Sequence, residues 1–166
     1  MIPQMQVYVV ILTVVIPTVT AIVMPAYATG NMSNISVVFK QTNACNANCR
    51  HCSVEKHHIT LSPQDSVLAI NNIIKLSEYM KGHQVSTVDI VFHGGEPMLV
   101  GKEHIAETVR LLENNIKSVN IQYSMQTNLL LYDRSWRPLF NDVFHWNISS
   151  SYDFYSSFRQ TKTGED

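Results

Sequence analysis

The chain has 166 residues with 12 Lys and Arg, 13 Asp and Glu, 7 His and 3 Cys, which is enough for one domain with a buried core. A formal net charge of -1 provides no basic field that would attract a phosphate backbone, which argues against a nucleic-acid partner. The three cysteines are odd in number and crowded between positions 45 and 52, which argues against a small secreted fold held by disulfides.

The N-terminal segment is apolar, and no Asp, Glu, Lys or Arg precedes Lys40. Residues 7–24 approach the length of a membrane-spanning helix, and Ala26-Tyr27-Ala28 resembles the end of a secretory signal. The basic stretch expected before such a signal is absent, and β-branched residues together with Pro17 disfavour a helix. We therefore expect residues 1–34 to be an extension, anchor-like or merely appended, outside a domain that covers residues 35–166.

Strands and helices alternate after this extension. Residues 35–39 predict a strand, and residues 41–56 predict a polar loop that carries all three cysteines. A helix is predicted from Ser62, a good cap, through Pro63 to residue 80. Its apolar side is expected at Val67, Leu68, Ile70, Ile74 and Tyr79.

The second half of the domain continues the alternation. Residues 88–92, ending at Gly94-Gly95, predict a second strand, and residues 119–125 and 144–150 predict a third and a fourth. Apolar spacing predicts a helix before the third strand and a short helix at residues 135–140; the apolar positions of the first are Ile105, Val109, Leu112 and Ile116. The pattern predicts an α/β fold with a parallel sheet, whose functional residues follow the carboxyl ends of the strands. Four such strands alone would leave unpaired edges.

Cys45, Cys49 and Cys52 form a C-x3-C-x2-C pattern on the loop after the first strand. Three thiolates at this spacing can converge on one soft metal centre, one ligand short of the usual four. A cluster held in this way keeps an open coordination position for a small molecule. Two other uses stay open, namely a zinc site completed by His57 or His58 and a disulfide with one free thiol.

The cysteine pattern, followed by Gly-Gly-Glu-Pro after the second strand, resembles the radical S-adenosylmethionine (radical SAM) superfamily. The resemblance implies that the three cysteines bind a [4Fe-4S] cluster and that S-adenosylmethionine chelates its fourth iron. It also implies that Gly94, Gly95 and Glu96 meet the methionine amino group, with the glycines allowing close backbone approach and Glu96 accepting from the ammonium. The alternative for Glu96 is a structural role within the turn.

A finer resemblance is to peptide-modifying members, the sulfatase-maturase-like and SPASM-type enzymes. Residues 92–99, residues 125–129 and Ser151-Tyr152-Asp153 are similar to the stretches that follow successive strands in that subgroup. The resemblance implies cofactor contacts from Asn128, Ser151 and Arg159. The spacing from Ser151 to Arg159 is shorter than the usual loop, and Phe154 replaces the expected glycine.

The resemblance implies a partial (βα) barrel of the radical SAM type, truncated after about four strands, as in a fragment, a shortened gene product or part of a longer chain. It implies an enzyme that cleaves S-adenosylmethionine reductively and abstracts hydrogen from a peptide or protein substrate, supplied with electrons by a flavodoxin-like or ferredoxin-like donor. An oxygen-sensitive cluster favours the cytoplasm over membrane contact through residues 7–24. The alternative function is a non-catalytic, truncated iron–sulfur or zinc-binding module.

Overall fold

The structure is a computed structural model that describes residues 10–12, 21–25, 34–52, 54, 58–81 and 84–151. Within these residues, six strands form one sheet in the order β1-β2-β3-β4-β5-β6. They are β1 (Val10–Leu12), β2 (Ala21–Pro25), β3 (Asn34–Thr42), β4 (Thr87–Gly94), β5 (Asn120–Gln126) and β6 (Ile148–Ser149). Strands β3 to β6 run parallel, which confirms the predicted four-stranded parallel sheet.

Two antiparallel strands cover the β3 edge of this parallel sheet. β1 pairs with β2, and β2 pairs with β3 in a register that sets Ile22 opposite Val38. The expectation of an unpaired edge is therefore wrong at β3, because β2 supplies its backbone partners. The separation of residues 1–34 from the domain stays a prediction. In the described part of the chain, no helix combines the length and the apolar character needed to cross a membrane.

Helix α1 (Pro63–Lys81) connects β3 to β4 and begins where the capping pattern predicts. Ser62 Oγ accepts a hydrogen bond from Asp65 N at 3.1 Å and donates to Asp65 Oδ2 at 2.7 Å. These bonds satisfy a backbone donor that the first helical turn leaves free and place a carboxylate at the positive end of the helix dipole.

The buried side of α1 differs in part from the predicted one. Ile70, Ile73 and Ile74 are at most 2% exposed, whereas Leu68 is 57% and Tyr79 is 86% exposed. The placement of Leu68 and Tyr79 on the apolar side is therefore wrong. At 100° per residue, both positions turn away from the stripe that the three isoleucines define.

Helix α2 (Lys102–Asn115) connects β4 to β5 and follows a short 3-10 turn at Pro97–Val100. Ile105, Val109 and Leu112 face the core as predicted, and Ile116 is buried just after the helix ends. Helices α1 and α2 contact each other. The spacing of apolar residues along the sequence thus predicted the buried side of α2 correctly.

The chain between β5 and β6 contains a 3-10 turn, Arg134–Trp136, that continues into α3 (Arg137–Asp142), which confirms the predicted short helix. The fourth parallel strand is shorter than predicted. His145 and Trp146 have φ angles of 47° and 60°, in the left-handed region, so the chain turns here and becomes extended only at Ile148. Phe144, predicted to start the strand, is instead fully buried in the core.

The two faces of the sheet differ in chemistry. The hydrophobic core, which includes residues of α1, α2 and α3, packs on one face. There Phe92 meets Phe39 edge-to-face with ring centroids 5.8 Å apart and meets Phe144 at 5.6 Å. Because side chains alternate along a strand, the intervening positions point to the other face. These positions are mostly polar in β3, β4 and β5, and they include Ser36, Lys40, Asp89, His93, Ser124 and Gln126.

Candidate active site

The cysteine loop, residues 43–60, leaves the carboxyl end of β3 and returns beside it. Thr42 closes its base: Thr42 Oγ1 donates to Ile59 O at 3.1 Å, and Thr60 Oγ1 donates to Thr42 Oγ1 at 3.2 Å. Leu61 N also donates to Gln41 O at 2.8 Å. These bonds hold both ends of the loop at the end of β3, which is where the sequence predicts functional residues to gather.

All three cysteines are free thiols; Cys45 and Cys49 are partly buried and Cys52 is exposed. Among the residues that the structure describes, no three His, Cys, Asp or Glu side chains stand in a group that could hold one metal ion. The loop therefore carries the donor set of a three-cysteine cluster, while its sulfur atoms are not drawn together in this conformation. Metal sites commonly gather their ligands on binding, so the donor chemistry fits a cluster.

A cavity of about 310 Å³ lies beside the first cysteine. This volume is at the lower end of the range for small-molecule sites. The residues around it come from the cysteine loop, its base and the turn after β4; they are Thr42, Ala44, Cys45, Asn46, His58, Thr60 and Leu99.

Gly94 and Gly95 lie against the start of the cysteine loop. A Cβ on Gly94 would come within 3.0 Å of Thr42 O, and one on Gly95 would come equally close to the carbonyl oxygens of Asn43 and Ala44. Gly94 also has a φ of 135°, which side chains disfavour. The two glycines thus allow the backbone of the cysteine loop to approach closely. At this short separation Gly95 N donates a hydrogen bond to Thr42 O at 3.0 Å. Their contact with the cofactor stays a prediction.

Glu96 is 1% exposed and joins the ends of β4 and β5. Its Oε1 accepts hydrogen bonds from Met98 N at 3.0 Å and from Thr127 Oγ1 at 2.6 Å, and its Oε2 accepts from Asn128 N at 2.7 Å. A carboxylate offers about four acceptor positions, so the chain itself uses most of them. The structural role considered for Glu96 is therefore present, and its contact with an ammonium stays a prediction.

Asn128 connects β5 to the cysteine loop. Its Nδ2 donates to Asn46 Oδ1 at 2.9 Å and lies 4.0 Å from Cys45 Sγ. The structure thus brings Cys45, Glu96 and Asn128 together, although they are far apart in sequence. Thr127, which donates to Glu96 from a site that is 3% exposed, lies in the stretch singled out after the third strand but was not predicted as a site residue. The strict alternation of β5 was the available signal, because it directs Thr127 inward.

Ser151 is exposed at the end of β6, where its Oγ accepts from Gln126 Nε2 at 3.2 Å. Ser149 Oγ donates to Gln126 Oε1 at 2.5 Å, so a small polar network runs across the ends of β5 and β6. Arg159, the other predicted contact of this region, lies outside the described residues. Ser151 shares the edge with the cysteine loop but makes no described contact with it.

His93 and Lys40 are register partners on the polar face of the sheet. Burial lowers the pKa of His93, and the charge of Lys40 lowers it further, while a backbone hydrogen bond with Gly94 raises it to a smaller extent. Among the described residues, no carboxylate forms an ion pair with Lys40. Lys40, the first charged residue of the chain, was not among the predicted site residues.

The model of the radical SAM superfamily matches residues 39–161, which is more than half of the chain. A cysteine-type anaerobic sulfatase-maturating enzyme of Clostridium novyi is 26% identical over 117 residues, covering 67% of this chain and 30% of that protein. A biotin synthase of Ehrlichia chaffeensis is 27% identical over 129 residues, covering 76% of this chain and 38% of the synthase.

Two solved structures share the fold, each with a TM-score of 0.58. One, described as anSMEcpe with bound AdoMet, is 23% identical and covers 76% of this chain and 35% of that one. The other, described as native anSMEcpe with bound AdoMet and Cp18Cys peptide, is 24% identical. Its match covers 79% of this chain and 36% of that one. The chain therefore spans about a third of the length of the proteins it matches.

These comparisons confirm the predicted resemblance to sulfatase-maturating enzymes and the partial radical SAM-type barrel. The cofactor prediction is also confirmed, because the cofactors of the family are a [4Fe-4S] cluster and S-adenosylmethionine. With its family model, its parallel sheet and its cysteine loop in agreement, the chain belongs to the radical SAM superfamily.

Proposed function

We propose that this chain binds a [4Fe-4S] cluster and S-adenosylmethionine at the carboxyl edge of its parallel sheet and serves a radical enzyme that modifies a peptide or protein. One observation carries the proposal: the cysteine loop, the Gly-Gly-Glu turn and Asn128 contact one another at this edge. The contacts are Gly95 N to Thr42 O at 3.0 Å and Asn128 Nδ2 to Asn46 Oδ1 at 2.9 Å.

Cys45, Cys49 and Cys52 would hold the cluster through their thiolates, since they are the sulfur donors on the loop and none of them is in a disulfide. Once reduced by one electron from a donor protein, a cluster held there would supply radical chemistry with S-adenosylmethionine, which ends in removal of a hydrogen atom from the substrate. The remaining task of the protein is to position both groups and to exclude water.

The chain's other predicted residues would orient the nucleotide. Gly94, Gly95 and Glu96 form a turn that hydrogen-bonds to the cysteine loop, and in the bound state they would meet the methionine amino group, with Glu96 as the acceptor of its ammonium. Ser151 and Arg159 would contact the ribose or the carboxylate of S-adenosylmethionine. Ser151 is held near the end of β6 by its hydrogen bond from Gln126 Nε2.

A peptide or protein is the proposed substrate class. Support comes from the name of the sulfatase-maturating relative and from the polar face of the sheet, which offers hydrogen-bonding side chains beside the site. SPASM-type architecture, a flavodoxin-like or ferredoxin-like electron donor and a cytoplasmic setting belong to the same proposal. The donor and the setting follow from the redox chemistry of an oxygen-sensitive cluster, and the SPASM-type architecture follows from the sequence resemblance.

Anaerobic reconstitution with iron and sulfide tests the proposal. We expect about four iron atoms per chain with a cubane Mössbauer signature. Addition of S-adenosylmethionine and a strong reductant should then release 5′-deoxyadenosine, detected by mass spectrometry. Serine substitution of each cysteine should abolish cluster binding. A protein that binds only zinc would refute the proposal, as would one that holds the cluster but forms no 5′-deoxyadenosine.

A matched variant separates the cluster from a zinc site. His58 borders the cavity beside Cys45 and is a candidate fourth ligand of a Cys3His zinc centre. His58→Gln should leave the iron content of the reconstituted protein unchanged if the three cysteines alone hold the cluster. Loss of metal in this variant, with zinc as the metal bound by the wild type, would instead support the metal-binding module.

A further inference from the structure

The sulfur atom of Cys45 lies near two nitrogen donors of the folded chain. Ala47 N donates to Cys45 Sγ from 3.4 Å, within the loop itself. Asn128 Nδ2 donates from 4.0 Å, across the gap between β5 and the loop. Ala47 is only 1% exposed, so the first part of the loop is anchored in the fold. The surroundings of this sulfur are therefore set by the protein.

The amide of Asn128 is held so that its nitrogen faces the loop. Asn128 N donates to Glu96 Oε2 at 2.7 Å, which fixes the backbone. Asn128 Oδ1 accepts from Leu130 N at 3.0 Å, and Nδ2 donates to Asn46 Oδ1 at 2.9 Å. A flipped amide would place N–H against the N–H of Leu130, so these partners determine the orientation. Both ends of the amide are thus used by the chain itself.

An N–H group directed at a cluster ligand has a predictable electrostatic effect. Reduction adds negative charge to the cluster and its thiolates, and a nearby N–H dipole stabilises that charge. Hydrogen bonds to sulfur are among the protein features that set the potential of iron–sulfur clusters, and residues behind the ligands tune metal sites in general. Removal of a donor should therefore shift the reduction potential to more negative values.

We propose that Asn128 is a positioning residue of the cluster site: its amide donates to the Cys45 thiolate and raises the reduction potential of the bound cluster. This inference rests on the proposed function, because it requires that Cys45 binds the cluster. It assigns Asn128 to the cluster ligand rather than to the nucleotide. Glu96 takes part indirectly, because it holds the backbone of Asn128 in place.

The test uses three variants of the full chain. Asn128→Leu removes the donor at similar side-chain volume. Asn46→Ala removes the partner of the 2.9 Å hydrogen bond but leaves the donor to Cys45. Gln122→Leu also replaces an amide side chain by leucine, but at an exposed position of β5, and it serves as the matched control. The measurement is the midpoint potential of the reconstituted cluster without S-adenosylmethionine, from a redox titration followed by electron paramagnetic resonance.

We expect a more negative midpoint potential for Asn128→Leu and an unchanged one for Asn46→Ala and Gln122→Leu. An unchanged potential in Asn128→Leu would overturn the inference. An equal shift in Asn46→Ala would also overturn it, because the effect would then come from the position of the loop. If Asn128→Leu does not fold, Asn128→Ala, which removes the N–H donor without adding a charge, replaces it and should show the negative shift.

The same experiment separates this inference from the proposed function. A wild-type chain that binds no cluster refutes the proposed function and this inference together. A wild-type chain with a cluster whose potential does not respond to residue 128 refutes the role of Asn128 alone.

Discussion

Replacement of the buried Glu96 by glutamine should destabilise the fold measurably. The carboxylate accepts hydrogen bonds from Met98 N, Thr127 Oγ1 and Asn128 N. Glutamine has one acceptor oxygen, so at best it keeps the bonds to Met98 and Thr127 and turns its NH2 group toward Asn128 N–H. One charge-assisted hydrogen bond, worth about 1.5–3 kcal/mol, is lost. Because glutamine also avoids burying a charge, we expect a net loss of about 2 kcal/mol.

Urea unfolding followed by circular dichroism measures this loss. With a denaturant slope of about 2 kcal/mol per molar, the midpoint should fall by about 1 M. Glu103→Gln is the matched control, because Glu103 is exposed in the first turn of α2 and its replacement should cost about 0.5 kcal/mol. A Glu96→Gln midpoint equal to that of the control would refute the view that this side chain joins β4 to β5.

Three further predictions follow from single contacts. Gly95→Ala should cost about 1–3 kcal/mol in unfolding experiments because its Cβ would collide with the Ala44 backbone, and a neutral effect would show that the two strand ends separate freely. Ser62→Ala should lose about 1 kcal/mol of stability through the missing helix cap, and unchanged unfolding would contradict the capping role. The lowered pKa of His93 means that the unfolded chain binds the proton more readily, so stability should fall as pH drops below about 6.5. His93→Gln should flatten that slope, and an identical pH profile would refute the assignment.

Local sequence patterns were sufficient to predict the parallel strands and the helices between them. Alternating burial along β4 follows directly from its alternating sequence. Ser62 and Pro63 marked the start of α1 because capping depends on neighbouring residues only. The apolar side of α1 was only partly predictable, since Leu68 and Tyr79 are apolar by type but turn away from the sheet.

Such local patterns do not predict interactions between segments that are distant in sequence. The pairing of β2 with β3 depends on backbone groups that carry no side-chain signal, and the sequence therefore predicted an open edge. Phe144 is buried in the core and the chain turns at His145 and Trp146, so the fourth strand is shorter than its apolar pattern predicted. The spacing of the cysteines predicted the donor set, but spacing carries no information on how closely the three sulfurs approach one another.

The sequence by itself determined the α/β alternation, the family and the set of residues at the strand ends, because these depend on periodicity and on short motifs within one segment. Only the tertiary structure decided what those residues contact. It directed the glycines against the chain's own backbone, used the carboxylate of Glu96 to join two strands and turned the amide of Asn128 toward Cys45. The physical reason is that these contacts join groups far apart in sequence, so they exist only once the parallel strands have set their ends side by side.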